Sequence, residues 1–147
     1  MPLVGSILIG ADDLVGEMIC SRIPHMRERP KPSTALGVVR NGVLLGGFIY
    51  YRYTEFDVHL GAAFDRPGWA LRETLRALFG YPFIQLGCTR MTAITGRRNK
   101  KARKGLVDLG FTLEGVHKRG LDGHEDAITY GMLKENCKWL KDRPHEG

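Results

Sequence analysis

Residues 64–70 read Phe64-Asp65-Arg66-Pro67-Gly68-Trp69-Ala70. A run of β-forming residues ends here, a glycine-bearing turn follows, and a helical pattern begins. The first N–H groups of a helix have no intrahelical partner and sit at the positive end of its dipole, so such a junction suits phosphate. A plain strand-to-helix turn has the same appearance, and the heptapeptide alone leaves both readings open.

Working outward, the chain reads as β-α-β-β-β-α-β-α-β-β. Residues 3–9 form an apolar run expected as an edge strand. Asp12 is expected to cap a helix over 13–23, with Leu14, Met18 and Ile19 on one face. A proline-rich loop, 24–33, precedes a strand over 34–40, and Asn41-Gly42 marks a tight hairpin into a strand over 43–53. A further strand is expected over 55–64. After the opening turn, Leu71, Leu75, Leu78 and Phe79 recur at helical spacing within 69–86, where Pro82 should kink or end the helix. Residues 91–95 read as a short buried strand. Asn99 and Gly110 suit the two ends of a second helix. Strands over 111–119 and Ala127–Leu133 follow, joined by the turn Leu121-Asp122-Gly123. Meandering strands followed by a strand-helix-strand crossover predict a mixed sheet with helices on both faces.

The 147 residues, 43% hydrophobic and 26% charged, fit one globular domain over 1–140, with a flexible tail over 141–147. Residues 3–9 are too short to span a membrane and lack a basic leader, so a soluble cytoplasmic protein with no membrane partner is expected. Cys20, Cys88 and Cys137 are widely spaced and odd in number, which argues against a disulfide framework or a zinc site, and no metal is expected. The net charge of +6 favours an anionic partner.

Two further features bear on chemistry. The stretch 96–105 carries Arg97, Arg98, Lys100, Lys101, Arg103 and Lys104 without an acid. Cations at a helix start oppose the dipole, at about 0.3–1 kcal/mol each, and a bound polyanion would offset this. A solvated basic face is the competing reading. Glu55, Asp57 and His59 alternate, so as a strand they share one face and include candidates for a general base, or form an ordinary solvent face.

Taken together, these pieces resemble the GNAT superfamily of N-acyltransferases, most closely its ribosomal-protein N-terminal acetyltransferase-like branch, over residues 34–133. The superfamily's pyrophosphate loop is Q/R-x-x-G-x-G/A. Gly68 and Ala70 match it, while Asp65 departs from it and Arg66 is placed to compensate. Downstream, Asn99, Ala102, Leu106, Gly110-Phe111 and Glu114-Gly115 follow the branch's order.

The resemblance implies a three-layer α/β/α fold with a mixed, mostly antiparallel, splayed central sheet. It implies acetyl-CoA as co-substrate. The pantetheine arm would lie along Ala62, Ala63 and Phe64, the pyrophosphate on Arg66, Gly68, Trp69, Ala70 and Leu71, and Asn99 would touch the arm. Arg103 and the basic run would face the 3′-phosphate or the solvent edge. A primary amine would attack the thioester directly. Glu55, Asp57 or His59 would act as base and backbone N–H groups at 61–63 as oxyanion donors. Leu106 stands where many members carry a thiolate-protonating tyrosine, leaving Tyr130 or a water for that role.

The acceptor side would be shaped by residues 12–33 and 120–125. Arg22, His25, Arg27, Arg29 and Lys31 make it basic, suiting an acidic peptide, a phosphorylated small molecule or a nucleic acid. A protein N-terminus or other macromolecular amine fits a short, open site, and both monomer and homodimer are admitted. Three alternatives remain: a nucleic-acid-binding surface using Trp69, Tyr50, Tyr51 and Tyr53, a catalytically inactive GNAT-fold binding module, or a dimeric structural protein.

Overall fold

Residues 33–64 build the centre of the sheet, because apolar and β-branched side chains recur there and a left-handed turn joins the first two runs. Asn41 (φ 52°) and Gly42 (φ 76°) form the hairpin between β3 (Ser33–Arg40) and β4 (Val43–Tyr51), and β5 (Asp57–Phe64) pairs antiparallel with β4. The structure is a computed structural model, and it describes residues 3, 4 and 6–141. The remaining elements are β1 (Leu3–Val4), β2 (Ile7–Leu8), α1 (Asp12–Ser21), α2 (Arg72–Gly80), β6 (Arg90–Gly96), α3 (Lys100–Leu109), β7 (Thr112–His117) and β8 (Ala127–Leu133).

One eight-stranded sheet has the order β1-β2-β3-β4-β5-β6-β8-β7, and only β5 and β6 run parallel. A parallel pair needs a crossover, which α2 supplies. Leu36, Val38, Phe48, Tyr50, Val58 and Leu60 pack with Leu75, Leu78 and Phe79 of α2, and Leu106 and Leu109 of α3 lie against the same cluster. On the opposite face, Ala35 and Ile49 pack with Val15, Ile19 and Cys20 of α1. The result is the three-layer mixed sheet expected from the sequence. Each large apolar side chain buried this way contributes roughly 1.5–3 kcal/mol.

Several boundaries differ from the expectation. The run 3–9 holds two short strands, with Leu3 opposite Leu8 and Val4 opposite Ile7. Asp12 does not cap α1; its Oδ1 accepts the backbone N–H of Ala35 at 3.0 Å, tying the helix to β3. The buried face of α1 is Val15, Gly16, Ile19 and Cys20, and Leu14 is exposed. The predicted helix over 69–86 starts only at Arg72 and continues as a π-helical turn, Tyr81–Gln85, closed by Leu86 N–H donating to Tyr81 O at 2.9 Å. Pro82, which brings no N–H, sits in that wider turn. β4 and β5 stop at Tyr51 and start at Asp57, because Arg52 (φ 52°) and Glu55 (φ 74°) adopt left-handed conformations that leave the pleat. β7 ends the sheet and is exposed along nearly its whole length; Leu113 and Val116 stand open on it. Most of the predicted tail, residues 142–147, lies outside the described residues.

Candidate active site

The parallel pairing of β5 and β6 runs from Asp57 opposite Arg90 to Leu60 opposite Ala93 and stops there, although β5 continues to Phe64 and β6 to Gly96. Beyond residue 60 the two strands diverge. A cleft of about 1690 Å³ opens between them, walled by residues 61–64 and 94–96. The lead-in to α2 and the first turns of α3 form its other walls, and residues 22–28 with Leu121, Asp122 and Glu125 close one end. Strand edges that have parted retain N–H and C=O groups able to pair with an extended ligand.

The turn before α2 shows how the local sequence shapes this cleft. Gly68 has φ 86°, a conformation that favours glycine, and its carbonyl accepts from Arg40 Nη1 at 3.3 Å. Trp69 stacks on Phe64 at 4.2 Å with the rings 4° from parallel, and Phe48 meets both rings edge-on. The first turn of α2 therefore presents its N–H groups beside a rigid aromatic wall. Asp65 is compensated by Arg22 rather than by its neighbour Arg66: Arg22 grips the carboxylate with Nε and Nη2, the latter at 2.9 Å, while also donating to Met18 O at 2.9 Å. Hydrogen bonding from Arg22, more than the charges of Arg22 and Arg66, holds the Asp65 carboxyl below its ordinary value.

Asn99 caps α3, its side chain accepting from Ala102 N–H at 3.1 Å, and Gly110 ends the helix at φ 111°. The basic run divides in two. Arg98, Lys101 and Lys104 line the cleft with Asn99, and Lys104 also pairs with Asp108 at 2.7 Å. Arg97 pairs with Asp126 at 3.3 Å, and Arg103 donates to Tyr130 Oη at 3.0 Å and to Arg97 O at 3.1 Å. Arg103 does not line the cleft, whereas Ala62, Ala63, Phe64, Arg66, Gly68, Trp69, Ala70 and Leu71 all do.

Glu55, Asp57, His59 and Tyr130 do not line the cleft. Glu55 lies outside β5. Asp57 and His59 lie on β5 where it is still hydrogen-bonded to β6. There Thr92 Oγ1 donates to the Asp57 carboxylate at 2.9 Å, and Arg90 bridges Asp57, at 3.5 Å, to Glu114. His59 Nε2 stands 3.6 Å from Asp57, and its Nδ1 is buried without a hydrogen-bond partner. Burial pushes the His59 imidazole below its ordinary pKa, against the pull of Asp57. Tyr130 is buried with its hydroxyl held by Arg103. The titratable groups that line the cleft at the end formed by residues 22–28 and the β7–β8 turn include His25, Glu28, Asp122 and Glu125. Sequence reasoning counted His25 only as part of a basic loop, and no local pattern marks the two acids in the β7–β8 turn.

The basic character expected of the acceptor loop is neutralised at two positions: Arg22 pairs with Asp65, and Arg29 with Asp13 at 2.7 Å. The stacking surface is also dispersed. Tyr50 is buried, donating to Leu78 O at 2.7 Å, and Trp69 is already stacked on Phe64. Among the described residues, no group of His, Cys, Asp or Glu is arranged to hold a metal, and no helix is long and apolar enough to cross a membrane.

No protein-family model and no curated protein sequence matches the chain. Solved structures do. A probable acetyltransferase is 22% identical, with a TM-score of 0.61 over 70% of this chain and 63% of its own. The GNAT-family acetyltransferase of Bacillus anthracis is 20% identical, with a TM-score of 0.59 over 76% of this chain and 70% of its own. The N-acetyltransferase PseH of Campylobacter jejuni, solved in complex with acetyl coenzyme A, is 16% identical, with a TM-score of 0.56 over 71% of this chain and 70% of its own. The chain thus spans less than two thirds of the length of the first of these, and it has the fold of GNAT-type acetyltransferases.

Proposed function

We propose that this protein is an acyl-CoA-dependent N-acyltransferase that moves an acetyl group to a primary amine. The observation that carries the reading is the parting of β5 and β6 after Leu60 and Ala93, next to a helix start whose turn is built on Gly68. The pantetheine arm runs along Ala62, Ala63 and Phe64, the pyrophosphate rests on residues 66–71, and Asn99 flanks the arm. Arg98, Lys101 and Lys104 face the 3′-phosphate; Arg103 serves this wall indirectly, by holding the carbonyl of Arg97. The order of Asn99, Ala102, Gly110-Phe111 and Glu114-Gly115 supports placing the chain beside the ribosomal-protein N-terminal acetyltransferase-like branch.

In the reaction the amine attacks the thioester carbonyl, backbone N–H groups at 61–63 stabilise the oxyanion, and the thiolate leaves. Leu106 lines the cleft in place of an acid, and a thiol of pKa about 8.5 leaves tolerably as thiolate near neutral pH.

Thermal unfolding with acetyl-CoA and with dephospho-CoA tests the reading. A ligand at a hundred times its dissociation constant adds roughly 2.7 kcal/mol of stability. A rise in Tm with acetyl-CoA, smaller with dephospho-CoA, is expected, together with release of free thiol in the presence of primary amines. No rise with any acyl-CoA sinks the proposal. A rise without turnover over a wide amine panel makes the protein a binding module.

A further inference from the structure

Two glycines mark the mouth of the splay. Gly61 is the first residue of β5 past its pairing with β6, and a Cβ there would stand 3.3 Å from Met26 Sδ and 3.6 Å from Ile23 Cδ1. Gly96 ends β6, and the Glu125 carboxylate fills the space its side chain would take while accepting the Arg98 N–H at 2.8 Å. The residues on either side of His25 are therefore seated on one parted strand, and Glu125 on the other. His25 itself lines the cleft.

We propose that His25 is the general base of the acyl transfer, taking a proton from the acceptor ammonium. This rests on the acyltransferase reading above. The imidazole takes one ammonium proton and passes it to bulk water. The freed lone pair attacks the thioester carbonyl carbon of the acyl-CoA, forming the C–N bond. Collapse of the tetrahedral intermediate breaks the C–S bond, and the second N–H proton ends on the departing thiolate. The products are the N-acyl amide and the free thiol.

The competing groups are less suited. An imidazole is a stronger base than a carboxylate by about two pKa units. Asp122 Oδ1 accepts the N–H groups of His124 and Glu125, which hold its carboxyl below the ordinary range. Asp57 and His59 lie in the paired half of the strands. Burial lowers the pKa of His25, and the carboxylates of Glu125 and then Asp122 oppose that shift. The imidazole is thus free to accept a proton at neutral pH, and Glu125 stabilises the cation that forms. The other charged groups of the cleft near this end are Arg22, held by Asp65, Arg27 and Glu28 on the same segment, and Arg98 at the lead-in to α3.

The test compares wild type with His25→Gln, using acetyl-CoA and three acceptors: an aliphatic monoamine, a diamine and a short peptide with a free N-terminus. His25→Gln is expected to lower kcat about a hundredfold or more and to remove the acid limb of the kcat/KM profile, with the acetyl-CoA-induced rise in Tm unchanged. Turnover by His25→Gln within threefold of wild type, with the acid limb intact, overturns the proposal. Should His25→Gln misfold, His25→Ala decides: free imidazole restores part of the rate if position 25 supplies the base, and failure to do so overturns it. Absence of an acetyl-CoA shift in wild type defeats the acyltransferase reading instead, which separates the two failures.

Discussion

The two halves of the β5–β6 pair are made of the same strands and do opposite things. From Asp57 to Leu60 the strands are bonded, and their α1 face carries the linked charges of Asp57, Arg90 and Glu114 with Thr92 and His59. From Gly61 to Phe64, and from Ile94 to Gly96, no residue is titratable and most are small. The closed half spends side-chain charge on holding strands together. The open half offers backbone, and receives its charges from other elements: Arg22 through Asp65, Glu125 through Gly96, His25 through its neighbours over Gly61. Alternating titratable residues on a strand therefore mark the part that does not open.

The largest expected effect breaks or upholds this division directly. Arg90→Ala leaves the Asp57 and Glu114 carboxylates without their shared guanidinium. The pair is only partly buried, so a loss of about 2 kcal/mol is expected rather than the full cost of a buried orphan charge. That corresponds to a fall in Tm of roughly 4–8 °C. Acetyl-CoA affinity should stay within twofold by calorimetry; a tenfold loss of affinity with Tm intact would erase the distinction between the halves.

A smaller effect sharpens the open half. Arg22→Ala releases the Asp65 carboxylate beside the Gly68 turn and is expected to weaken acetyl-CoA about tenfold. Adding Asp65→Asn should recover most of that loss, which a double-mutant cycle reads as coupling. Because Arg22 depresses the Asp65 pKa, the pair's contribution is present above the ordinary carboxylate value and disappears only as pH falls through the lowered one.

The smallest concerns His59. Its pKa is depressed by burial, so below about 6.5 the unfolded chain takes up a proton that the folded protein resists, and stability falls with pH in that range. His59→Ala should flatten this slope in pH-dependent denaturation and leave kcat within threefold. A hundredfold fall in kcat at unchanged Tm would put the base in the closed half.

Much of the fold was legible because its signals are local. Asn41-Gly42 sets a hairpin whatever surrounds it, and Asn99 with Gly110 brackets α3 as expected. The turn that walls the cleft was legible for a related reason: a turn built on Gly68 ahead of a helix is a short-range pattern. What escaped was decided at long range. Asp12 carries a capping residue's chemistry, yet β3 offers it the N–H of Ala35. Asp65 looked hostile to phosphate because its partner, Arg22, lies 43 positions away. His25 and Glu125 are a hundred positions apart and share only the lining of one cleft, so no spacing announces them.

β7 has a practical consequence. Among the described residues the last strand of the sheet has a free hydrogen-bonding edge, and Leu113 and Val116 stand open on it. What keeps such edges from joining is chiefly like charge, here a net +6 together with Lys118 and Arg119 just beyond the strand. Concentrated salt, whose Debye length is about 3 Å at 1 M, removes that repulsion and would weaken the proposed attraction of Arg98, Lys101 and Lys104 for phosphate in the same stroke. Low ionic strength is therefore expected to favour both a dispersed sample and a filled cleft.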